Sequence, residues 1–269
     1  MSLIKNNEFK TLLSEVLTIA EQAGEKILEI YDTDFNVEKK DDNSPLTAAD
    51  MAAHQHICKC LNELTPDIPI LSEESSHIPY QERKQWQQYW LVDPLDGTRE
   101  FIKRNGEFSV NIALIDNERS VLGVIYIPVT HEAYTAAIGL GAMKHNKNDE
   151  TVSIQVKKTI PSKITLAGSR SHGNETLRAF ISRLDDPEVL SIGSSLKFCL
   201  VAEGKADIYP RFGPTSEWDT GAAQCIVEEA GGIVVDTDFN RLRYNAKESI
   251  LNPSFIVIAD QDFDWKQYL

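Results

Sequence analysis

Apolar residues at Phe9, Leu12, Leu13, Val16, Ala20, Ala23, Ile27, Ile30 and Tyr31 recur every three or four positions, which predicts a long amphipathic helix. The pattern breaks over Thr33 to Asn43, a polar and charged stretch before Ser44-Pro45 that reads as a loop. Thr47-Ala48-Ala49-Asp50 has the form of a helix start, with Thr47 as the cap and Asp50 bonding back to it, and predicts a second helix to about Leu64. Ile68 to Leu71 forms a short strand that runs into Ser72-Glu73-Glu74-Ser75, and a helix is predicted near Gln81 to Gln88. Trp90-Leu91-Val92 is a buried-strand run that stops at Asp93-Pro94 and is followed by Leu95-Asp96-Gly97-Thr98.

Three β-rich segments follow at Phe108 to Ile115, Val121 to Pro128 and Ala133 to Ala137, with turn signals at Asp116-Asn117, Pro128 and Gly139-Leu140-Gly141. Their spacing predicts an antiparallel meander, closed by a strand at Thr151 to Val156 after the polar stretch Lys144 to Glu150. Strand and helix then alternate: Ile164 to Ala167, Glu175 to Leu184, Val189 to Ile192, Leu196 to Glu203 and Ala206 to Tyr209. Asp219 opens a helix through Ala222, Ala223, Ile226, Val227 and Ala230 that ends at Gly231-Gly232, and strands at Ile233 to Val235 and Phe255 to Ala259 complete the chain. The change of pattern near Pro161 predicts an α+β unit over residues 1–160 and an α/β unit over 161–269.

With 269 residues, a 42% hydrophobic share and no low-complexity tract, the chain can bury a sizeable core. A formal charge of −14 opposes non-specific binding to a nucleic-acid polymer, so an anionic ligand needs local cations. No stretch reaches the length of a membrane-spanning helix, and the expectation is a soluble, cytoplasmic protein. Cys58, Cys60, Cys199 and Cys225 fall in helix-like stretches and read as inert thiols. His54 and His56 diverge around their helix and should not chelate one metal.

Candidate chemistry collects at element ends. Asp93 and Asp96 flank a turn whose Pro fixes φ and whose Gly exposes backbone N–H groups, an arrangement suited to hard cations and an oxyanion. A plain Asp-Pro/Asp-Gly turn fits the same residues. An EF-hand loop does not, because oxygen ligands at alternate positions and a closing Glu are missing. The haloacid-dehalogenase pattern places its two aspartates two residues apart, whereas these are three apart. Glu73, Asp93, Asp96, Asp219 and Asp50 together would repel one another unless divalent cations sat between them, and oxygen-only ligands favour Mg²⁺ or Mn²⁺ over Zn²⁺.

LSEES around Glu73, WLVDPLDGT over Trp90 to Thr98 and EWDTGAAQCIVEEAGG over Glu217 to Gly232, with SPLTAAD at Ser44 to Asp50, resemble the signature segments of the inositol monophosphatase family, in the same order. The resemblance implies a sugar-phosphatase-like layered αβαβα sandwich of α/β (α+β) class, with an antiparallel sheet in the N-terminal half and a mixed sheet in the C-terminal half. It also implies roles. Glu73, Asp93 and the Leu95 carbonyl would hold one Mg²⁺ and Asp93, Asp96 and Asp219 a second, with a third, weaker Mg²⁺ near Glu73. The Gly97 and Thr98 N–H groups would hold the phosphate, and Asp50 with the Thr98 hydroxyl would orient the attacking water. Inhibition by Li⁺ belongs to the same expectation, as do a homodimer and peripheral association with the inner membrane face.

Members of that family act on inositol phosphates, fructose 1,6-bisphosphate or 3′(2′),5′-bisphosphonucleotides. Ser194-Ser195-Leu196-Lys197 at a helix start, with Arg211 after a strand, is a candidate grip for a second phosphate remote from the metals. Ser169-Arg170-Ser171-His172 and the Tyr244 to Pro253 run resemble the bisphosphate nucleotidase branch, which gives Ser171 and His172 contacts to the nucleotide. The reading is therefore a Mg²⁺-dependent phosphatase for adenosine 3′,5′-bisphosphate, or its 3′-phosphosulfate analogue. An inositol monophosphatase, or a metal- or nucleotide-binding module without turnover, are the competing readings.

Overall fold

The structure, a computed structural model, describes residues 6–33, 45–75, 77–148, 150–168 and 175–269. The chain runs α1 (Asn6–Tyr31), α2 (Pro45–Leu64), β1 (Ile70–Ser72), α3 (Tyr80–Arg83), β2 (Gln88–Asp96), α4 (Thr98–Ile102), β3 (Ser109–Asp116), β4 (Arg119–Ile127), β5 (Glu132–Ala137), β6 (Gly141–His145) and β7 (Thr151–Ile154). It continues through β8 (Thr165–Gly168), α5 (Glu175–Ser182), β9 (Glu188–Ser191), α6 (Leu196–Ala202), β10 (Ile208–Arg211), α7 (Glu217–Glu229), β11 (Ile233–Asp236) and β12 (Phe255–Ile258).

Strands β1 to β7 form one sheet in sequence order, antiparallel except for the parallel β1–β2 pair. The second sheet has the order β11-β12-β10-β8-β9 and is mixed. Because successive side chains leave a strand on opposite faces, the central strands feed two cores. Trp90, Val92, Val110, Ile112 and Leu114 pack with Val16, Ala20, Ile27, Ala53, Ile57 and Leu61 of α1 and α2. Leu91, Ala113, Ile115 and Ile125 pack on the other side with α6 and α7, which in turn meet Tyr209, Val234, Phe255 and Val257 of the second sheet. Phe180 of α5 covers the far face of that sheet with Ile208, Val235 and Ile256. The layers are thus helix, sheet, helix, sheet, helix, the αβαβα sandwich anticipated from the resemblance.

Several local expectations are corrected. Helix α2 begins at Pro45, so Thr47 lies inside the first turn instead of capping it; Pro is pre-set for that first helical position. The helix expected over Gln81 to Gln88 is only Tyr80–Arg83, because Gln88 and Tyr89 are taken up by β2. Strand β2 does not stop at Asp93-Pro94 but runs to Asp96, with a register shift between Asp93 and Asp96. A bulge is where a strand tolerates Pro, and here it turns both carboxylates toward the same end of the sheet. The turn expected at Gly139 to Gly141 is present, but strand β6 starts at Gly141 and runs into the stretch expected to be a polar connection. Its Lys144 is accommodated by carboxylates of Glu132 at 2.9 Å and Glu203 at 3.4 Å. The loop expected over 33–43 lies largely outside the described residues. No described helix is long and apolar enough to cross a membrane, and the expectation of peripheral attachment gains no support.

Helix α7 sits so close to the sheet that a Cβ on Gly123 of β4 would collide with the carbonyl oxygen of Ala222. Backbone has no alternative rotamer to escape into. Gly123→Ala should therefore cost about 2–3 kcal/mol of stability, read as a lowered midpoint in urea at unchanged slope.

Candidate active site

Parallel pairing of β1 with β2 sets Ser72 opposite Val92, so the two strands end side by side and deliver Glu73 next to Asp93. Glu73 opens a short 3₁₀ turn and is exposed, whereas Asp93 is 1% exposed at the floor. The Leu95 N–H donates to Asp93 Oδ1 at 3.1 Å, which folds the bulge around that carboxylate. Asp219 arrives on the first turn of α7, where its Oδ2 accepts the Ser216 N–H at 2.8 Å as the acidic member of a capping box. Asp96, at the end of β2, accepts both the Ser194 hydroxyl and the Ser195 N–H at 2.5 Å, two donors from the loop between β9 and α6.

Ligand atoms of Asp93, Asp96 and Asp219 lie within 4.8 Å of one another. Burial drives the Asp93 carboxyl well above the usual carboxylate range, and the charges of Asp96, Glu73, Asp219 and Asp50 push it the same way. Asp219 is pushed up to about 7, first by burial and then by Asp96, and it shares a hydrogen bond with Asp93. Three carboxylates with their oxygens close together, and Glu73 and Asp50 adding negative charge at Asp93, fit a divalent cation of the Mg²⁺ or Mn²⁺ kind.

Beside the carboxylates, Gly97 adopts φ 99°, and a Cβ there would sit 3.0 Å from the Glu107 carbonyl oxygen and 3.1 Å from Phe108. Only glycine turns the chain from β2 into α4 at this point, which sets Thr98 at the helix start. A cleft of about 150 Å³ joins Asp96, Gly97 and Asp219 to Ser194, Lys197 and Arg211. The remote cations expected from the sequence thus share one cavity with the acidic cluster. At the start of α6, the N–H of the capping residue Ser195 is bonded to Asp96. Lys197 is also more enclosed than a surface cation. Its ammonium donates to the carbonyls of Ser194 at 2.6 Å and Ile192 at 3.4 Å, lies 5.5 Å from the Tyr209 ring centre, and has its pKa lowered chiefly by burial. Arg211 is anchored by Thr215 Oγ1 at 2.8 Å and the Pro214 carbonyl at 3.1 Å. Ser171 and His172 lie outside the described residues.

Two sets of residues went unrecognised in the sequence. The first is the buried Ser109–Asn111 pair on β3: Ser109 Oγ meets Ser194 Oγ at 2.7 Å and Ser195 Oγ at 2.9 Å, and Asn111 Oδ1 accepts from Ser195 at 3.0 Å. The second braces α7. Glu217 Oε2 accepts the Asn245 N–H at 2.8 Å, Arg83 Nη1 donates to Asn245 Oδ1 and Asn245 Nδ2 to the Arg83 carbonyl, both at 2.5 Å, and Asn252 Nδ2 donates to the Ser216 carbonyl at 2.9 Å. Tyr244 OH donates to Gln224 at 2.7 Å. The Tyr244 to Pro253 run, singled out for its resemblance, thereby secures the helix that carries Asp219.

Comparison with known proteins agrees with this geometry. The model of the inositol monophosphatase family matches residues 10–262. The 3′(2′),5′-bisphosphate nucleotidase CysQ of Escherichia coli O6:H1 is 50% identical over 250 residues, covering 91% of this chain and 99% of that protein. The protein of the same name from Haemophilus influenzae is 40% identical, with 95% of each covered. A crystal structure of CysQ from Bacteroides thetaiotaomicron, described as a bacterial member of the inositol monophosphatase family, superposes with a TM-score of 0.87 at 43% identity, over 96% of this chain and 100% of that one.

The raised carboxyl pKa values have a thermodynamic consequence. Unfolded, Asp93 and Asp219 release their protons near pH 4, but folded and metal-free they retain them, to about pH 7 for Asp219. Metal-free stability contributed by these groups is present below the unfolded value and lost as pH rises through the folded one. A divalent cation replaces the protons, so the gain in Tm on adding Mg²⁺ should be several-fold larger at about pH 8 than at about pH 5.5, as measured by calorimetry against an EDTA-treated control.

Proposed function

We propose a reaction on one premise: this chain belongs to the inositol monophosphatase family. The chain is a phosphoric monoester hydrolase, a 3′(2′),5′-bisphosphate nucleotidase, that converts adenosine 3′,5′-bisphosphate, or its phosphosulfate analogue, to the 5′-nucleotide and phosphate. The observation that carries this reading is the single cleft that joins Asp96 and Asp219 of the acidic cluster to the cations Lys197 and Arg211. Relatives named for the same activity, at 40 to 50% identity over nearly the whole chain, support it.

Glu73, Asp93 and the Leu95 carbonyl would hold one Mg²⁺ and Asp93, Asp96 and Asp219 a second, with a third, weaker ion near Glu73. Bound Mg²⁺ lowers the pKa of water and neutralises charge on the transferring phosphoryl group. Asp50 and the Thr98 hydroxyl orient the attacking water and accept its proton. The water oxygen bonds to phosphorus as the bond from phosphorus to the 3′-oxygen breaks, and the 3′-hydroxyl of the product takes up a proton. Gly97 and Thr98 N–H groups hold the 3′-phosphate in place. Arg211, whose Nε and Nη2 are fixed by Thr215 and Pro214, points a preformed guanidinium at the 5′-phosphate, with Lys197 supplying positive charge behind it. An inositol monophosphate has no second phosphate to meet these cations. In this reading residues 1–160 supply most metal ligands, and residues 161–269 complete the site and select the nucleotide.

Phosphate release from adenosine 3′,5′-bisphosphate, its 3′-phosphosulfate analogue, inositol 1-phosphate and fructose 1,6-bisphosphate is the direct test. The two nucleotides should give the highest kcat/KM, and a preference for inositol 1-phosphate would overturn the substrate assignment. Arg211→Ala should lower kcat/KM on adenosine 3′,5′-bisphosphate by on the order of 10- to 100-fold, with only a minor effect on inositol 1-phosphate. Equal losses on both would remove Arg211 from the 5′-phosphate.

A further inference from the structure

Lys197 sits on the substrate side of the cleft, yet the partners of its ammonium belong to the loop that grips Asp96. Nζ donates to the Ser194 carbonyl at 2.6 Å and to the Ile192 carbonyl at 3.4 Å. Ser194 has φ +54°, a left-handed conformation that a side-chain-bearing residue adopts only when its surroundings enforce it. That conformation aims the Ser194 hydroxyl at Asp96 Oδ2 and presents the next N–H, of Ser195, to the same oxygen. On the near side the loop is pinned by the Gly193 N–H to Glu107 Oε2 at 2.8 Å, and a Cβ on Gly193 would press on Glu100 at 2.5 Å. Beneath it, Ser109 touches both serine hydroxyls.

We propose that Lys197 is a positioning residue for the metal ligand Asp96, acting through the left-handed backbone of Ser194. The ammonium holds the Ser194 carbonyl, the held carbonyl fixes the turn, and the turn fixes two donors on one oxygen of Asp96. The other oxygen is thereby oriented toward Asp93 and Asp219. Outer partners of metal-binding carboxylates set their orientation in this way, and losing one typically weakens metal affinity by on the order of 10-fold. The inference rests on the reading of Asp96 as a metal ligand.

The sign of one measurement separates this role from simple charge. Burial lowers the Lys197 pKa, but its ammonium still attracts the Asp96 carboxylate, so by electrostatics alone its removal should tighten divalent-cation binding. Positioning predicts the reverse. In an equilibrium titration of the metal-free protein with Mn²⁺, followed by electron paramagnetic resonance, Lys197→Met should weaken binding on the order of 10-fold. Ser194→Gly keeps the left-handed turn without strain but removes the hydroxyl, and should by itself weaken Mn²⁺ by a similar factor. Because Gly no longer needs to be held, adding Lys197→Met to Ser194→Gly should cost less than about 2-fold more, a non-additive pair. Tighter or unchanged Mn²⁺ binding by either single variant, or full additivity in the double variant, would overturn the proposal. A wild-type protein that binds no Mn²⁺ would overturn the metal reading itself, an outcome distinguishable from the others.

Discussion

Mutual repulsion among carboxylates that the fold forces together is the constraint on which this structure turns. Asp93 is buried, and its ionised form is disfavoured first by that burial and then by four other acidic residues acting on it from the 3₁₀ turn after β1, from β2, from α2 and from α7. Such a cluster survives only where the surrounding structure holds each member by something stronger than its own preference. Three members have such a hold: the bulge N–H of Leu95 for Asp93, the capped start of α7 for Asp219, and the two serine donors for Asp96. The braces further out, from Glu217 through Asn245 to Arg83, keep α7 from drifting away. The layers of the sandwich deliver these ends to one place.

The two halves of the chain meet through Asp96. Its backbone belongs to the first sheet, but the donors on its carboxylate come from the loop before α6. That loop also bounds the cleft in which Lys197 and Arg211 lie. In the proposed reading, metal binding and recognition of a remote anion draw on neighbouring atoms of one turn, so altering one touches the other.

Much of the fold and the acidic cluster was legible in the sequence, for a physical reason. Helix and strand periodicity marks each element's ends, and Glu73, Asp93, Asp96 and Asp219 stand at such ends beside turn residues with recognisable chemistry. What was illegible depends on register or on distant pairing. Ser109 and Asn111 look like ordinary strand residues until antiparallel pairing places them opposite Asp96 and Asp93. Pro94 reads as a strand stop because the bulge that tolerates it is defined only by the partner strand. Lys144 reads as loop because its carboxylate partners come from Glu132 and from Glu203, far along the chain. Lys197 reads as a free cation at a helix start, since the carbonyls that occupy its ammonium are backbone groups with no signature in the side-chain sequence.

The parallel pairing of β1 with β2 divides the acidic cluster by sequence separation. Glu73 and Asp93 are brought together by a short crossover, so their half of the cluster forms with local, low-entropy-cost contacts. Asp219 arrives only when α7 docks against β3 and β4, after nearly all of the first sheet and most of the second half have been synthesised. Without α7 in place, the first sheet carries Glu73, Asp93 and Asp96 but lacks Asp219. Asp219 joins Asp93 and Asp96 through a contact between segments far apart in the chain, so the docking of α7 is what brings the three carboxylates together.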